Sequence, residues 1–255
     1  GIIIAPTIDV VEATAKLTDK NEPTVNIRMA EECIEHYERV YPDTNHRILF
    51  CMRGTKTISD MRRCGLVKRL NALGYRVFTT TSSSPATGGG QYMNETRLRG
   101  GMGELTAKMR EFGSKPEEKI AIFHVSQIAE GVDIKQLSAV VFSRTSMNDV
   151  YITQAVGRVM RSAEGKTRAL VSVVKHADDS DEVLRSITDV LDCMFRNGIP
   201  PRVEINEDEG AAVDEPTLEN HKKVGKMIEN MSIDWQWTEG VYALKKDRSR
   251  MFQPR

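Results

Sequence analysis

The sequence lacks the features that define several large classes of protein. Its 255 residues contain no apolar run of membrane-spanning length and no signal-peptide pattern, so neither a membrane-embedded nor an exported protein is indicated. Its four cysteines are scattered, without a C-x-x-C pair or histidines at ligand spacing. A disulfide framework and a zinc site are therefore not predicted, no residue is assigned to a metal, and we expect a cytoplasmic protein without a membrane partner.

The sequence also lacks an excess of either charge, because 36 basic residues balance 36 acidic ones. Any nucleic-acid binding must then come from local basic patches rather than from a global field. Apolar content of 40% and charged content of 28% are ordinary for a globular chain of one large or two modest domains. The chain opens at Gly1 without an initiator methionine, as in a processed product or a piece of a longer protein.

A phosphate-binding loop is missing as well. The triplet from Gly165 to Thr167 imitates the end of such a loop, but Met160 stands where its leading glycine belongs. A strand is also predicted after this triplet, where a phosphate loop requires a helix. The glycine run from Gly88 to Gly90 lacks the necessary lysine and helix. We therefore expect that this chain does not hold a nucleoside triphosphate alone.

Strands and helices alternate along the middle of the chain. Apolar patterning predicts strands at 48–52, 75–80, 119–125, 139–142 and 168–174, and helices at 29–40, 57–73, 104–112, 148–161 and 181–197. Such alternation predicts an α/β fold with a parallel sheet covered by helices on both faces. The serine- and glycine-rich segment 82–103 is interpreted as a mobile loop. The predicted units are an N-terminal lead-in (1–45), an α/β domain (46–198), an acidic linker (199–222) and a C-terminal extension (223–255).

The most informative segment is 154–161, which reads QAVGRVMR. In a helix over 148–161, Gln154, Arg158 and Arg161 share one stripe of an otherwise apolar surface. Buried guanidinium groups need anionic partners, and their planar shape suits phosphate. Gly157 suggests a close approach at this point, because a glycine inside a helix costs about 1 kcal/mol. The alternative is the solvated face of an ordinary amphipathic helix.

Three segments together resemble the C-terminal motor domain of superfamily 2 helicases and translocases. Residues 47–54 (RILFCMRG) resemble their motif IV, residues 126–134 (SQIAEGVDI) resemble motif V, and residues 154–161 resemble motif VI. The resemblance covers about residues 46–198 and implies a RecA-like parallel sheet. The sequence of motif VI is most similar to that of restriction-type and phage or mobile-element DNA helicases. A phage-encoded protein would act in the cytoplasm of its host.

The resemblance implies a role for each matching residue. Arg161 would be the arginine finger on the γ-phosphate of ATP, with Arg158 beside it. Gln154, Gly131 and Asp133 would contact the nucleotide, Asp133 through the ribose. The competing interpretations are an exposed helix glutamine for Gln154 and a tight turn between strands for Gly131 and Asp133.

The same resemblance implies a nucleic-acid track, with DNA favoured over RNA. Arg53, Lys56 and Arg63 make the end of the motif IV strand and the following helix basic. Such residues contact phosphates without reading sequence, although a basic helix is more often simply solvated. Ser126 and Gln127 would touch the backbone of the nucleic acid. The family usually has a threonine near this position, so the serine is a departure from its pattern.

The function predicted from the resemblance is the second motor domain of an ATP-dependent helicase or translocase. The ATP and most contacts to its Mg²⁺ would belong to a first RecA-like domain, joined in the same polypeptide or supplied by a partner. The isolated chain should then hydrolyse ATP poorly. The main alternative is a non-catalytic adaptor that keeps the fold and binds nucleic acid or protein. A doubly wound metabolic enzyme is disfavoured because no glycine-rich turn follows the first strand.

Overall fold

A computed structural model describes residues 3–14, 16, 22–43, 46–80, 90–92, 96–97, 101–115, 117–125, 134–143, 149–178, 182–199, 201–203 and 217–231. Within these ranges, eight strands form one sheet in the order β1-β8-β7-β2-β6-β3-β4-β5. The six strands from β1 to β3 in this order run parallel, while β4 and β5 add an antiparallel margin beyond β3. The strands are β1 Thr7–Glu12, β2 Arg47–Cys51, β3 Tyr75–Thr80, β4 Gly90–Tyr92, β5 Thr96–Arg97, β6 Lys119–His124, β7 Ala139–Phe142 and β8 Leu170–Lys175.

Helices cover both faces of the sheet. Alternate residues of a strand point to opposite faces, so Ile48 and Phe50 of β2 lie in one core and Leu49 lies in the other. The first three helices pack on the Phe50 face and the others pack on the Leu49 face. The helices are α1 Pro23–Val40, α2 Thr55–Arg63, α3 Leu66–Ala72, α4 Gly101–Gly113, α5 Asp149–Val159, α6 Glu182–Arg196 and α7, residues 217–231.

The predicted parallel α/β sheet with helices on both faces is confirmed, and β3 and β7 have the predicted bounds. The single helix predicted over 57–73 is wrong, because Cys64 and Gly65 separate α2 from α3. Gly65 has a φ of 91°, a left-handed conformation that side chains with a Cβ adopt only with strain. The predicted loop over 82–103 is wrong where β4, β5 and the start of α4 are described.

The N-terminal region belongs to the same sheet as the predicted domain. Strand β1 pairs in parallel with β8 over its whole length, from Thr7 opposite Leu170 to Glu12 opposite Lys175. Helix α1 packs on the same face as α2 and α3. The predicted boundary at residue 46 therefore lies between two strands of one sheet. The signal was missed because β1 (TIDVVE) is separated from β2 by 34 residues that carry no motif.

A buried carboxylate joins the first strand to the last described helix. Asp9 of β1 is fully buried and accepts hydrogen bonds of 2.8 Å from Nε2 of His36 and Nε2 of His221. Burial alone would raise the pKa of Asp9, but the charge of His36 and the two hydrogen bonds hold it well below its usual range. His221 lies on α7, which also places Val224 in the core. Helix α7 thus crosses the predicted boundary at 222 between linker and extension.

Among the helices in the described part of the chain, none is long and apolar enough to cross a membrane.

Candidate functional site

Helix α5 carries the residues that resemble motif VI, but it is shorter than predicted. It ends at Val159, so Arg161 lies beyond the helix and forms an isolated antiparallel bridge with Ile3. The predicted helix over 148–161 is wrong at its end. The three residues consequently do not share one helical stripe: Gln154 and Arg158 lie one turn apart on α5, and Arg161 follows on extended chain. Arg158 is only 7% exposed, Gln154 is half-buried and Arg161 is exposed.

The backbone at the end of α5 is held by three hydrogen bonds from Lys166 and Ile4. Lys166 donates from Nζ to the carbonyl oxygen of Val159 and, at 2.6 Å, to that of Arg161. Between them, the carbonyl oxygen of Met160 accepts a 2.9 Å hydrogen bond from the backbone N–H of Ile4. The last carbonyls of a helix have no partner within the helix, and here the carbonyl of Val159 and the two that follow it receive donors from Lys166 and Ile4. The backbone that carries Arg161 is therefore anchored on both sides.

Sequence reasoning missed Lys166, which it considered only as a false phosphate-loop lysine. Gly165, with a φ of 72°, and a 3.1 Å bond from the Lys166 N–H to Ala163 form a turn that directs Lys166 back towards α5. Burial, followed by the charges of Arg161 and Arg47, lowers the pKa of Lys166 to about 7. The local signal was the Gly-Lys pair four residues after Arg161, but spacing alone does not reveal which carbonyls a lysine reaches.

Gly157 does not have the close neighbour that its position suggested. Among the described residues, nothing lies within 4 Å of where a Cβ at position 157 would stand. Its place inside α5 is therefore not explained by packing within this part of the chain. The space beside Gly157 is open on the helix that carries Gln154 and Arg158.

The start of α5 is fixed to the sheet through a buried histidine. His124, the last residue of β6, is 1% exposed, and its Nε2 lies 3.2 Å from the Tyr151 hydroxyl and 3.3 Å from the Cys51 Sγ. The rings of His124 and Tyr151 stack with centroids 5.8 Å apart. Strands β2 and β6 and helix α5 therefore meet at this histidine. This contact and the Lys166 contact hold the two ends of α5.

The predicted nucleic-acid residues lie on another part of the molecule. Arg53 follows β2 at the end of the sheet where the parallel strands finish, whereas Ile3 and Arg161 lie near the end where β1 begins. Lys56 and Arg63 on α2 both pair with Asp60, at 3.3 and 3.6 Å. Their side chains remain 92% and 81% exposed. The structure thus separates the two predicted groups and does not combine them in one pocket.

Four predicted site residues lie outside the described residues: Ser126, Gln127, Gly131 and Asp133. Their assignments stay predictions. Within the described ranges, no group of three or more histidine, cysteine, aspartate or glutamate side chains is placed to bind a metal ion.

Comparison with known proteins shows a similarity of fold. No protein-family profile matches the chain, and no curated protein matches it. Among solved structures, the chain is similar to part of the ATP-dependent Type ISP restriction-modification enzyme LlaBIII bound to DNA, with 15% identity and a TM-score of 0.54. That match covers 89% of this chain and 17% of the enzyme, so the chain spans less than a fifth of its length.

Two further structures show weaker likeness. The C-terminal domain of the DEAD-box protein Dbp5 matches with 16% identity and a TM-score of 0.44, covering 89% of this chain and 97% of that domain. The C-terminal part of the Fun30 ATPase domain matches with 11% identity and a TM-score of 0.42, covering 80% and 54%. The six parallel strands and the LlaBIII likeness together define this chain as a RecA-like α/β domain. At these identities the likeness concerns the fold alone.

Proposed function

We propose that this chain is the second motor domain of an ATP-dependent superfamily 2 helicase or translocase. The observation that carries the proposal is the anchored segment at the end of α5, which places Arg158 and Arg161 on a RecA-like domain. An arginine that stabilises the transition state of phosphoryl transfer must be held in place before the reaction. A merely solvated helix face has no need of such anchoring.

Each residue takes a role in that proposal. Arg161 is the arginine finger and Arg158 supports it, while Gln154, Gly131 and Asp133 bind the nucleotide. The first motor domain holds ATP and most of the Mg²⁺ coordination, because no phosphate loop is found in these 255 residues. Closure of the two domains on ATP would bring Arg161 to the γ-phosphate and drive stepping.

The exposed basic residues form the nucleic-acid track in this proposal. Arg53, Lys56 and Arg63 lie away from the Arg161 segment, as a motor requires if one surface handles ATP and another handles the polymer. Contacts to phosphates from such residues give affinity without sequence specificity. Ser126 and Gln127 would complete the track. DNA is the favoured polymer, because the restriction-modification enzyme LlaBIII, part of which has a similar fold, is bound to DNA.

The decisive experiment replaces Arg161 in the complete motor. The full-length protein, or this chain joined to a first motor domain, is assayed for ATP hydrolysis with and without DNA. Arg161→Ala is expected to lower stimulated turnover on the order of 10³-fold. Arg196→Ala is the matched control, because Arg196 pairs with Asp192 on the exposed side of α6 and should leave turnover unchanged.

A loss smaller than about tenfold in Arg161→Ala would contradict the arginine-finger role. ATPase activity of the isolated chain equal to that of the complete motor would contradict the half-motor assignment. Nucleic-acid binding that ignores Arg158 and Arg161, with no ATPase in the complete protein, would instead support the adaptor.

A further inference from the structure

Lys166 lies near the end of α5, where backbone carbonyl groups require hydrogen-bond donors from outside the helix. Helix α5 ends at Val159, and its final carbonyl groups point beyond the helix with no partner inside it. A protonated lysine side chain offers three N–H donors from one nitrogen. Lys166 uses them on the carbonyl oxygens of Val159 and Arg161 and, at a longer 3.5 Å, of Lys135.

These three acceptors belong to different functional segments. Val159 and Arg161 belong to the segment that resembles motif VI, and Arg161 is its last residue. Lys135 directly follows Ile134, the last residue of the segment that resembles motif V. One side chain therefore joins the end of the segment that resembles motif VI to the residue that follows the segment that resembles motif V. A lysine that only screened charge at the surface would not be half-buried against three carbonyl groups.

We infer that Lys166 is a positioning residue, which fixes the backbone of residues 159–161 and thereby sets the place of the Arg161 guanidinium. The inference rests on the proposed function for its effect on ATP hydrolysis, but not for the anchoring itself. Ile4 supports the same segment through its hydrogen bond to Met160, so the N-terminal residues contribute to the anchor. Lys166 touches no reacting atom in this account.

The anchoring is tested in the chain by amide hydrogen exchange. Lys166→Met removes the side-chain donors of Lys166 from this segment, and protection of the Ile4 and Met160 amides is expected to fall by about tenfold or more. The Val141 amide in the middle of β7 should keep its protection, which shows that the sheet is intact. Lys223→Met is the matched control, because Lys223 pairs with Glu219 on the exposed side of α7.

The effect on Arg161 is tested by a double-mutant cycle in the complete motor. Lys166→Met is expected to lower kcat for ATP hydrolysis by about tenfold or more, with a smaller change in KM, since a finger acts in the transition state. Lys166→Arg, which keeps the charge and the donors, should recover part of the loss. The double variant with Arg161→Ala should turn over ATP within about twofold of Arg161→Ala alone.

The two tests fail separately. Unchanged protection of Ile4 and Met160 in Lys166→Met would overturn the anchor, and additive losses in the double variant would overturn the positioning of Arg161. Lost protection together with normal turnover in Arg161→Ala would keep the anchor and overturn the proposed function. If Lys166→Met unfolds the chain, Lys166→Gln keeps a shorter donor and is measured in its place, with the same expected direction.

Discussion

The Arg161 segment and helix α2 both present arginine to solvent, but they hold it differently. The backbone of residues 159–161 receives hydrogen bonds from Lys166 and Ile4. On α2, Lys56 and Arg63 project from an ordinary helix surface and share one carboxylate, Asp60. An arginine that must contact one γ-phosphate in the transition state needs a fixed backbone. A side chain that contacts successive phosphates of a nucleic acid needs only a positive charge and a long, flexible side chain. The difference in anchoring therefore separates the two proposed roles.

The largest expected difference between the two regions appears when one arginine in each is replaced by lysine. Arg161→Lys should lower ATP turnover of the complete motor on the order of 10²-fold or more, because an ammonium does not reproduce the planar fork of the guanidinium. Arg63→Lys should leave DNA affinity nearly unchanged, because charge is conserved. Turnover and binding are measured on both variants. Equal sensitivity of the two positions would remove the distinction between them.

Acid should weaken the fold through the start of β2, at the same end of the sheet as the anchored segment. His46 is 1% exposed, and burial lowers its pKa from 6.5 to about 4. Between these values the unfolded chain binds a proton that the folded chain does not, so stability falls as pH drops from about 6.5 to about 4. The loss in the free energy of unfolding attributable to His46 is about 3 kcal/mol.

The measurement is the free energy of unfolding in urea at several pH values. His46→Phe keeps a ring against Tyr37, with which His46 stacks at 5.5 Å, and should flatten the dependence within this window. Loss of the Asp9 contribution lies at lower pH, because the pKa of this carboxyl is held below its usual range. A variant that keeps the full slope between pH 6.5 and 4 would show that another group is responsible.

Removing charge from α2 should change binding and leave the fold intact. The double variant Lys56→Ala, Arg63→Ala is expected to reduce the slope of log affinity against log salt by about 1.8, since each lost phosphate contact contributes about 0.9 on duplex DNA. Its free energy of unfolding should change by less than about 0.5 kcal/mol for each exposed residue. An unchanged salt slope would exclude these two residues from the track.

The smallest expected effect concerns the open space beside Gly157. Because a Cβ at this position meets nothing among the described residues, Gly157→Ala should stabilise the isolated chain by about 1 kcal/mol. In the complete motor the same variant reports on what approaches α5. Lower ATP turnover despite higher stability would indicate that the nucleotide or the first domain comes close there. Thermal unfolding and turnover are therefore measured on the same preparations.

Apolar patterning was sufficient to predict most of the strands and helices, because buried strands such as Ala139–Phe142 carry continuous apolar runs. It failed at Gly65, where a left-handed residue breaks a pattern that stays apolar on both sides. It also failed at β1, since the pairing of Thr7 with Leu170 depends on a contact between residues far apart in sequence. Local patterns predict elements, and they do not predict which distant element is the neighbour.

The candidate site, too, was only partly predictable from the sequence. The sequence indicated Gln154, Arg158 and Arg161 by residue type and spacing, but it placed Arg161 on a helix that ends two residues earlier. The role of Lys166 depends on where three carbonyl oxygens lie, which no spacing encodes. Exposure of Lys56 and Arg63 was foreseeable from their charge, and their shared partner Asp60 follows from helical spacing.

The position of β1 has a consequence for how the chain folds. This strand pairs with β8, which begins only at Leu170, and His221 reaches Asp9 across 212 residues of sequence. Contacts between residues so far apart form slowly, because the intervening chain must first be ordered. We therefore expect β1 and its buried aspartate to join the nascent sheet last. Until then the side of β8 that β1 will cover presents unpaired backbone groups, and this is the stage at which the polypeptide is most exposed to aggregation.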